Sequence, residues 1–163
     1  MVISQSSAAS APLEPSYQNV DVDVDVVVLG AGASGLFCAM TAGKRGRRVL
    51  VLDHANKAGK KILMSGGGRC NFTNYDVEPK HYLGDNPHFC KSALSRYLNW
   101  DFIGMVQQHQ IAFHEREHGQ LFCDESANDI LQMLLIGCRQ AQVAIQLNTQ
   151  IEQVCALPDN AGF

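Results

Sequence analysis

No apolar run in this 163-residue chain approaches the ~20 residues that a membrane-spanning helix needs, so no membrane partner is expected. Basic residues are not in excess. Lys and Arg number 13 against 16 Asp and Glu, giving a net charge of -3 and a pI near 6.0. That balance offers no electrostatic footprint for nucleic acid, so none is expected as a partner. The six cysteines, at 38, 70, 90, 123, 138 and 155, form no C-x-x-C pair and no repeated spacing, which argues against a disulfide framework. The opening MVISQSSAASAPLEPSYQ lacks the basic n-region and the continuous apolar h-region of a secretory signal. A cytoplasmic protein with mostly buried, inert thiols is the expectation, and the sequon Asn71-Phe72-Thr73 is then coincidental. No internal repeat is present.

What is present is ordinary for a globular domain: 46% apolar and 18% charged residues, over a length sufficient for one core. Residues 1–20 are rich in Ser, Ala and Pro and are expected to be disordered. The domain is expected over 21–163. Two short basic clusters, Lys44, Arg45, Arg47 and Arg48, then Lys57, Lys60 and Lys61, flank the two glycine-rich turns. Positive charge there can meet phosphate, although a solvated helix end explains the first cluster equally well.

Val26 to Leu29 is a continuous apolar, β-branched run, the pattern of a strand buried on both faces of a parallel sheet. The spacing predicts a helix from about Ala33 to Arg45, with Leu36, Phe37 and Met40 on one face and Gly46 just past its end. Val49 to Leu52 follows as a second buried strand ending at Asp53, so one βαβ unit fits in about 30 residues. Irregular backbone is expected from His54 to Asn74, with one helical turn around Lys60 to Met64. Asn86-Pro87 signals a helix start, with Phe89, Leu94, Tyr97 and Leu98 on the buried face. A further helix is expected over Asp101 to His109, then a hairpin around His118-Gly119. Ser126-x-x-Asp129 is a capping-box-like start for a helix whose apolar face is Ile130, Leu131, Leu134, Leu135 and Cys138. Strands are expected over Val143 to Leu147 and Ile151 to Leu157.

Gly30-Ala31-Gly32-Ala33-Ser34-Gly35 is G-x-G-x-x-G in the context that gives it meaning, directly after a strand and opening a helix. Gly30 permits the tight turn, Gly32 lets backbone approach a pyrophosphate, and Gly35 allows close helix–strand packing. The helix start, Ala33 and Ser34 included, offers N–H groups and partial positive charge to phosphate. Asp53, eighteen residues beyond Gly35, is placed to accept hydrogen bonds from a ribose diol and to repel a 2′-phosphate. The competing reading of Asp53 is a helix N-cap or a solvated turn.

Ser65-Gly66-Gly67-Gly68-Arg69-Cys70-Asn71 is a second glycine turn, not a Walker A loop, because no Gly-Lys-Ser/Thr completes it. Three consecutive glycines cost backbone entropy, so they mark either a close backbone approach to a ligand or a flexible loop. Arg69 is suited to neutralise phosphate, and Asn71 and Asn74 to hydrogen-bond a polar ring edge.

GAGASGLFCAM, the second strand and GKKILMSGGGRCNFTN, continued by NPHFCKSALSRY, WDFI and HGQLFCDESA, resemble the BaiN-like, aminoacetone-oxidase-like family of FAD/NAD(P)-dependent oxidoreductases, in its YhiN-like branch. The resemblance covers about residues 25 to 163. It implies an α/β, Rossmann-like FAD-binding domain of the glutathione-reductase type, with a parallel sheet and flanking helices. It also implies FAD as cofactor, NAD(P)H as a candidate electron donor and a small-molecule substrate. By position, Gly30, Gly32 and Gly35 would hold the pyrophosphate and Asp53 the adenosine ribose. Lys61, Gly66, Gly67, Gly68, Arg69, Cys70 and Asn71 would line a second contact. Family members are much longer, with an inserted substrate domain and a C-terminal FAD segment. The domain is therefore expected to be incomplete here. The rival reading is a non-catalytic, truncated nucleotide-binding module.

Two other features carry less. His114-Glu115-Arg116-Glu117-His118 spells the zinc motif H-E-x-x-H, but Gly119 follows at once and Ile111 and Phe113 alternate like a strand. A hairpin would hold the two histidines too far apart to chelate one metal. Cys70 beside Arg69 suggests a lowered thiol pKa, with close packing in the loop as the alternative. Tyr97, Trp100 and Phe102 read as core. No general acid or base stands out, and no catalytic residue is assigned.

Overall fold

The computed structural model describes residues 2–5, 23–156, 158 and 162. In chain order the first elements are β1 (Val2–Gln5), β2 (Val26–Leu29), α1 (Ala33–Lys44), β3 (Val49–Leu52) and α2 (Lys60–Met64). After a 3-10 turn at Ser65–Gly68 come β4 (Asn71–Asn74), α3 (Lys91–Arg96), α4 (Asn99–Gln108), β5 (Phe113–Glu115) and β6 (Gln120–Cys123). The helix α5 (Ala127–Gln140) leads to β7 (Ala144–Gln146) and β8 (Thr149–Gln153). The chain divides into two compact units, Met1–Gly59 with Leu134–Phe163, and Lys60–Met133. None of the helices among the described residues is long and apolar enough to cross a membrane.

The first unit is built on a parallel sheet of order β2-β3-β7, the α/β, Rossmann-like architecture expected from the strand–helix–strand pattern. Central β3 is buried at all four positions, as its apolar run requires. Edge strand β2 instead alternates, with Leu29 53% exposed. Its apolar run therefore misstates its burial, because an edge position leaves alternate residues uncovered. Helix α1 buries Leu36, Ala39 and Met40, the i, i+3, i+4 stripe; Phe37 is only half-buried. Residues 2–5 pair antiparallel with β8, in contrast to the disordered tail expected over 1–20. Pairing to β8 gives this segment backbone hydrogen-bond partners that a disordered tail would find only in water. The rest of that tail, Met1 and residues 6–20, lies outside the described residues. Strand β8 begins two residues before the expected Ile151, and Leu157 is outside the described residues.

The second unit carries an antiparallel sheet of order β4-β6-β5. On one face Phe72 of β4 meets Phe113 of β5 edge-on at 5.4 Å and Phe102 of α4 at 6.1 Å. Leu121 and Cys123 are fully buried. The start of α4 is held by Asp101, whose carboxylate accepts the Leu98 N–H at 2.7 Å. Helix α5 starts at the expected capping box, Asp129 accepting from the Ser126 N–H and Ser126 Oγ from the Asn128 N–H.

Asn86 does not cap a helix. Its side chain accepts the His88 N–H in a turn, and α3 begins only at Lys91. With six residues and no buried position, α3 cannot cover an apolar face, so Phe89 is 85% exposed and Leu98 about half so. Trp100, expected in the core, is 56% exposed and stacks on Tyr75 at 5.4 Å. Nor are the thiols mostly buried: Cys70, Cys123 and Cys138 are, while Cys38 and Cys155 are exposed.

Candidate functional site

The first glycine turn closes the C-terminal end of β2. Gly30 has φ +107° and donates its N–H to the Leu52 carbonyl at 2.7 Å, tying the turn to β3. A Cβ on Gly35 would overlap the Gly30 carbonyl oxygen, so the helix can approach the turn this closely only with glycine there. A Cβ on Gly30 or Gly32 would meet no protein atom within 4 Å; at both, the space beside the backbone is open. The first helical bond of α1 runs from the Leu36 N–H to the Gly32 carbonyl at 2.9 Å. Gly32 gives the helix no side-chain cap, and no acid stands in its first turn. Ala33 and Ser34 are exposed at that end. An open, uncapped, twelve-residue helix start beside a bare glycine backbone fits a pyrophosphate.

Asp53 has a structural duty that the sequence did not disclose. Its Oδ2 accepts the Ala31 N–H at 2.6 Å and its Oδ1 the Ala55 N–H at 2.8 Å. The carboxylate thus fixes the glycine turn from the neighbouring strand end. A carboxylate has about four accepting positions, more than these two backbone bonds occupy. A cleft of about 650 Å³ opens here, lined by Leu29, Gly30, Leu52, Asp53, His54 and Thr149 among others. It lies at the carboxyl ends of the parallel strands, where open α/β sheets bind ligands. Asp53 and the first turn are therefore brought together at one cleft, to which His54 and Thr149 are additions that sequence reading missed.

The second glycine turn is a left-handed coil rather than a slack loop. Gly66, Gly67, Gly68 and Cys70 have φ of +57°, +65°, +87° and +52°. The Cys70 N–H donates to the Ser65 carbonyl at 3.0 Å, and the Cys123 N–H to the Arg69 carbonyl at 2.9 Å, anchoring the coil to β6. Gly66 lies on the Phe122 ring, 2.6 Å from a Cβ placed there, whereas Gly67 and Gly68 face open space. Lys61 and Arg69 are exposed, and Asn71 opens β4. The Asn71 amide fits best with its NH2 donating to the Leu121 and Thr73 carbonyls, 3.3 and 3.1 Å away. Asn74 is a staple and not a ring-edge contact: its amide donates to the His118 carbonyl and accepts the Asp76 N–H.

Cys70 is not an activated thiolate. It is 5% exposed, and burial pushes its thiol up, with a Ser65 hydrogen bond opposing in part. Close packing, the alternative weighed for it, is what the structure has.

His114 and His118 do not lie on one helix: His114 is in β5, and His118 sits in the turn with φ +60°. Among the described residues no three metal-ligating side chains gather. His114 instead pairs with Asp124, Nδ1 to Oδ1 at 2.6 Å, a partnership the sequence reading missed. The signal available was the hairpin register, which sets 114 opposite 122 and leaves 124 two positions further on the same face.

A family model described as "HI0933-like protein Rossmann domain" matches residues 24–161. The chain belongs to that family. Proteins named "Ribosomal RNA dihydrouridine synthase" from Escherichia coli and Haemophilus influenzae are 54% and 55% identical over 137 and 128 residues. Those spans are 84% and 78% of this chain but 34% and 32% of the relatives, so the chain spans about a third of their length. An open-conformation flavocytochrome c3 fumarate reductase shares the fold, with 18% identity, a TM-score of 0.53, and 83% of this chain aligned to 28% of that one. These matches overturn the BaiN-like, YhiN-like assignment: the family is HI0933-like, and the relatives at 54% and 55% identity are named dihydrouridine synthases, whereas a 3-dehydro-bile acid delta(4,6)-reductase from Clostridium scindens is only 27% identical over 128 residues. The physical reason is that glycine turns answer to a dinucleotide's shape, which many flavoprotein families share, so those motifs could not choose among them.

Proposed function

We propose that this chain supplies the FAD-binding part of a flavin-dependent oxidoreductase that reduces uridine in ribosomal RNA. The observation that carries the reading is 54% identity to a ribosomal RNA dihydrouridine synthase over 137 residues. The first glycine turn, with its open backbone and uncapped helix, supports it independently on physical grounds. In this reading Gly30, Gly32, Ala33, Ser34 and Gly35 bind the pyrophosphate. Asp53 holds the turn and accepts from the adenosine ribose. Lys61, Gly66, Gly67, Gly68, Arg69, Cys70 and Asn71 form the flavin-side contact, with backbone at Gly67 and Gly68 approaching the ring. When bound, FAD supplies the hydride chemistry, and the protein binds, orients and excludes water. A nicotinamide is the proposed electron donor.

The reading revises two expectations about partners. The reacting group is a small uracil ring, but RNA presents it. With a net charge of -3, this part of the protein is poorly suited to grip phosphate backbone. The RNA grip is therefore assigned to the remaining two thirds of the relatives' length.

The purified gene product is expected to be yellow and, with NADH or NADPH, to form dihydrouridine in ribosomal RNA from cells lacking the gene, read by nucleoside mass spectrometry. Protein that is colourless and takes up no added FAD would end the flavin reading. Binding of AMP-like ligands alone would favour the non-catalytic module. Flavin-loaded protein that leaves the RNA unchanged would remove RNA as substrate and keep the oxidoreductase.

A further inference from the structure

We propose that His114, oriented by Asp124, is the proton donor of the reaction at the second glycine turn. The inference rests on the reading of that turn as a flavin contact. The register of the antiparallel sheet sets Asn71, Phe122 and His114 in one cross-strand row, on the face opposite the Phe72–Phe113 pair. Gly66 covers Phe122 from above, and the His114 ring stacks beside it with centroids 6.4 Å apart. Arg116 lies over the same ring, 4.0 Å from its centroid. The glycine coil and the histidine therefore share one surface, with Phe122 as the common floor.

The hydrogen bonds define the imidazole's state. Asp124 is an acceptor, so Nδ1, 2.6 Å from it, carries a hydrogen. Arg116 Nε–H donates to Nε2 at 3.2 Å, so Nε2 presents its lone pair in the resting form. An acid–base histidine needs one nitrogen pinned by a carboxylate, as Nδ1 is here, and the other able to exchange a proton. The His114 and Asp124 side chains are 45% and 39% exposed. In the proposed step Nε2 carries a proton drawn from solvent, with the Arg116 Nε–H displaced from it.

The substrate class is a carbon–carbon double bond conjugated to a carbonyl, such as that of uracil. The reduced flavin, when bound, would supply the hydride for a C–H bond at one carbon. The π pair takes the proton from His114 Nε2 at the other carbon, breaking that N–H bond. A nicotinamide would resupply the two electrons, and His114 would be left neutral with its Nδ1–H still on Asp124. Asp124 is a positioning residue in this scheme.

Two experiments test it. Imidazole 15N spectra of the flavin-free protein should show His114 as the Nδ1–H tautomer, shifting toward Nε2–H in Asp124→Asn; an Nε2–H tautomer in the unsubstituted protein overturns the dyad whatever becomes of the flavin reading. In the flavin-loaded gene product, His114→Ala should lower product turnover by about 10²–10⁴-fold. Reduction of the flavin by nicotinamide should stay within about twofold, and added imidazole should restore turnover in part. Unchanged turnover, or equal loss in both half-reactions without imidazole rescue, refutes the proton-donor role. Failure to bind flavin would instead sink the reading on which it rests, and the spectra distinguish the two.

Discussion

The Asp53 carboxylate accepts the backbone N–H of Ala31 at 2.6 Å, joining the end of β3 to the middle of the G-x-G-x-x-G turn. Ala31 is fully buried, so that N–H has no water to turn to if the carboxylate is lost. Asp53→Ala is therefore expected to cost about 1–3 kcal/mol, the penalty of an orphaned buried donor. Asp53→Asn keeps one good acceptor for the two N–H groups and should fall between. Urea unfolding of both variants is the measurement. A midpoint unchanged in Asp53→Ala would mean the turn does not depend on this bond.

The strand–turn–helix–strand unit was legible because its constraints are local: apolar runs of strand length, glycines at fixed offsets, an acid at a strand end. Asp53 was picked out by its place at a strand end, yet its bond to Ala31 depends on how β2 and β3 align, which one strand's sequence does not state. The exposure of Leu29 and Phe89 escaped for a similar cause. Burial depends on what lies over a residue, and periodicity reports only which residues share a side. His114 was weighed as half of a metal motif because the spelling H-E-x-x-H was local, whereas its partner Asp124 is ten residues away across a hairpin.

Gly66 and Gly67 offer a paired comparison within the second turn. Both have left-handed φ, +57° and +65°, so alanine at either is strained by about 1 kcal/mol or more. Only Gly66 has neighbours: an added Cβ would stand 2.6 Å from Phe122 and 2.9 Å from the Asn71 nitrogen. Gly66→Ala should thus be the more destabilising by a further ~1–3 kcal/mol, seen as an earlier thermal or urea transition. Gly67→Ala should leave the fold largely intact and weaken flavin binding, because its new methyl enters the space assigned to the ring. If Gly67→Ala binds flavin as before, that assignment is wrong.

At Gly35 the obstacle to alanine is backbone, the carbonyl oxygen of Gly30, and no rotamer change can relieve it. Either α1 moves off the turn or the turn reshapes, and both would disturb the proposed pyrophosphate contact. Gly35→Ala should lose at least about 1–3 kcal/mol of stability and bind flavin more weakly in the fraction that folds. A well-folded variant with undiminished flavin affinity would show that close helix approach is dispensable there.

The thiols should separate by burial and by pH. Cys38 and Cys155 are exposed and should react promptly with a thiol reagent under native conditions; Cys70, Cys123 and Cys138 should wait for unfolding. Burial, then the neighbouring Cys70 and acidic side chains, pushes the Cys123 thiol up to about 12 from an ordinary 9.0. Folding therefore favours the neutral thiol. That contribution is fully present below about pH 9 and is lost as pH rises from there toward about 12. Unfolding midpoints should fall across this alkaline range, and Cys123→Ala, though less stable throughout, should flatten the decline. An equally steep alkaline loss in Cys123→Ala would assign the effect to other groups, such as Cys70 and Cys138, whose thiols burial also raises.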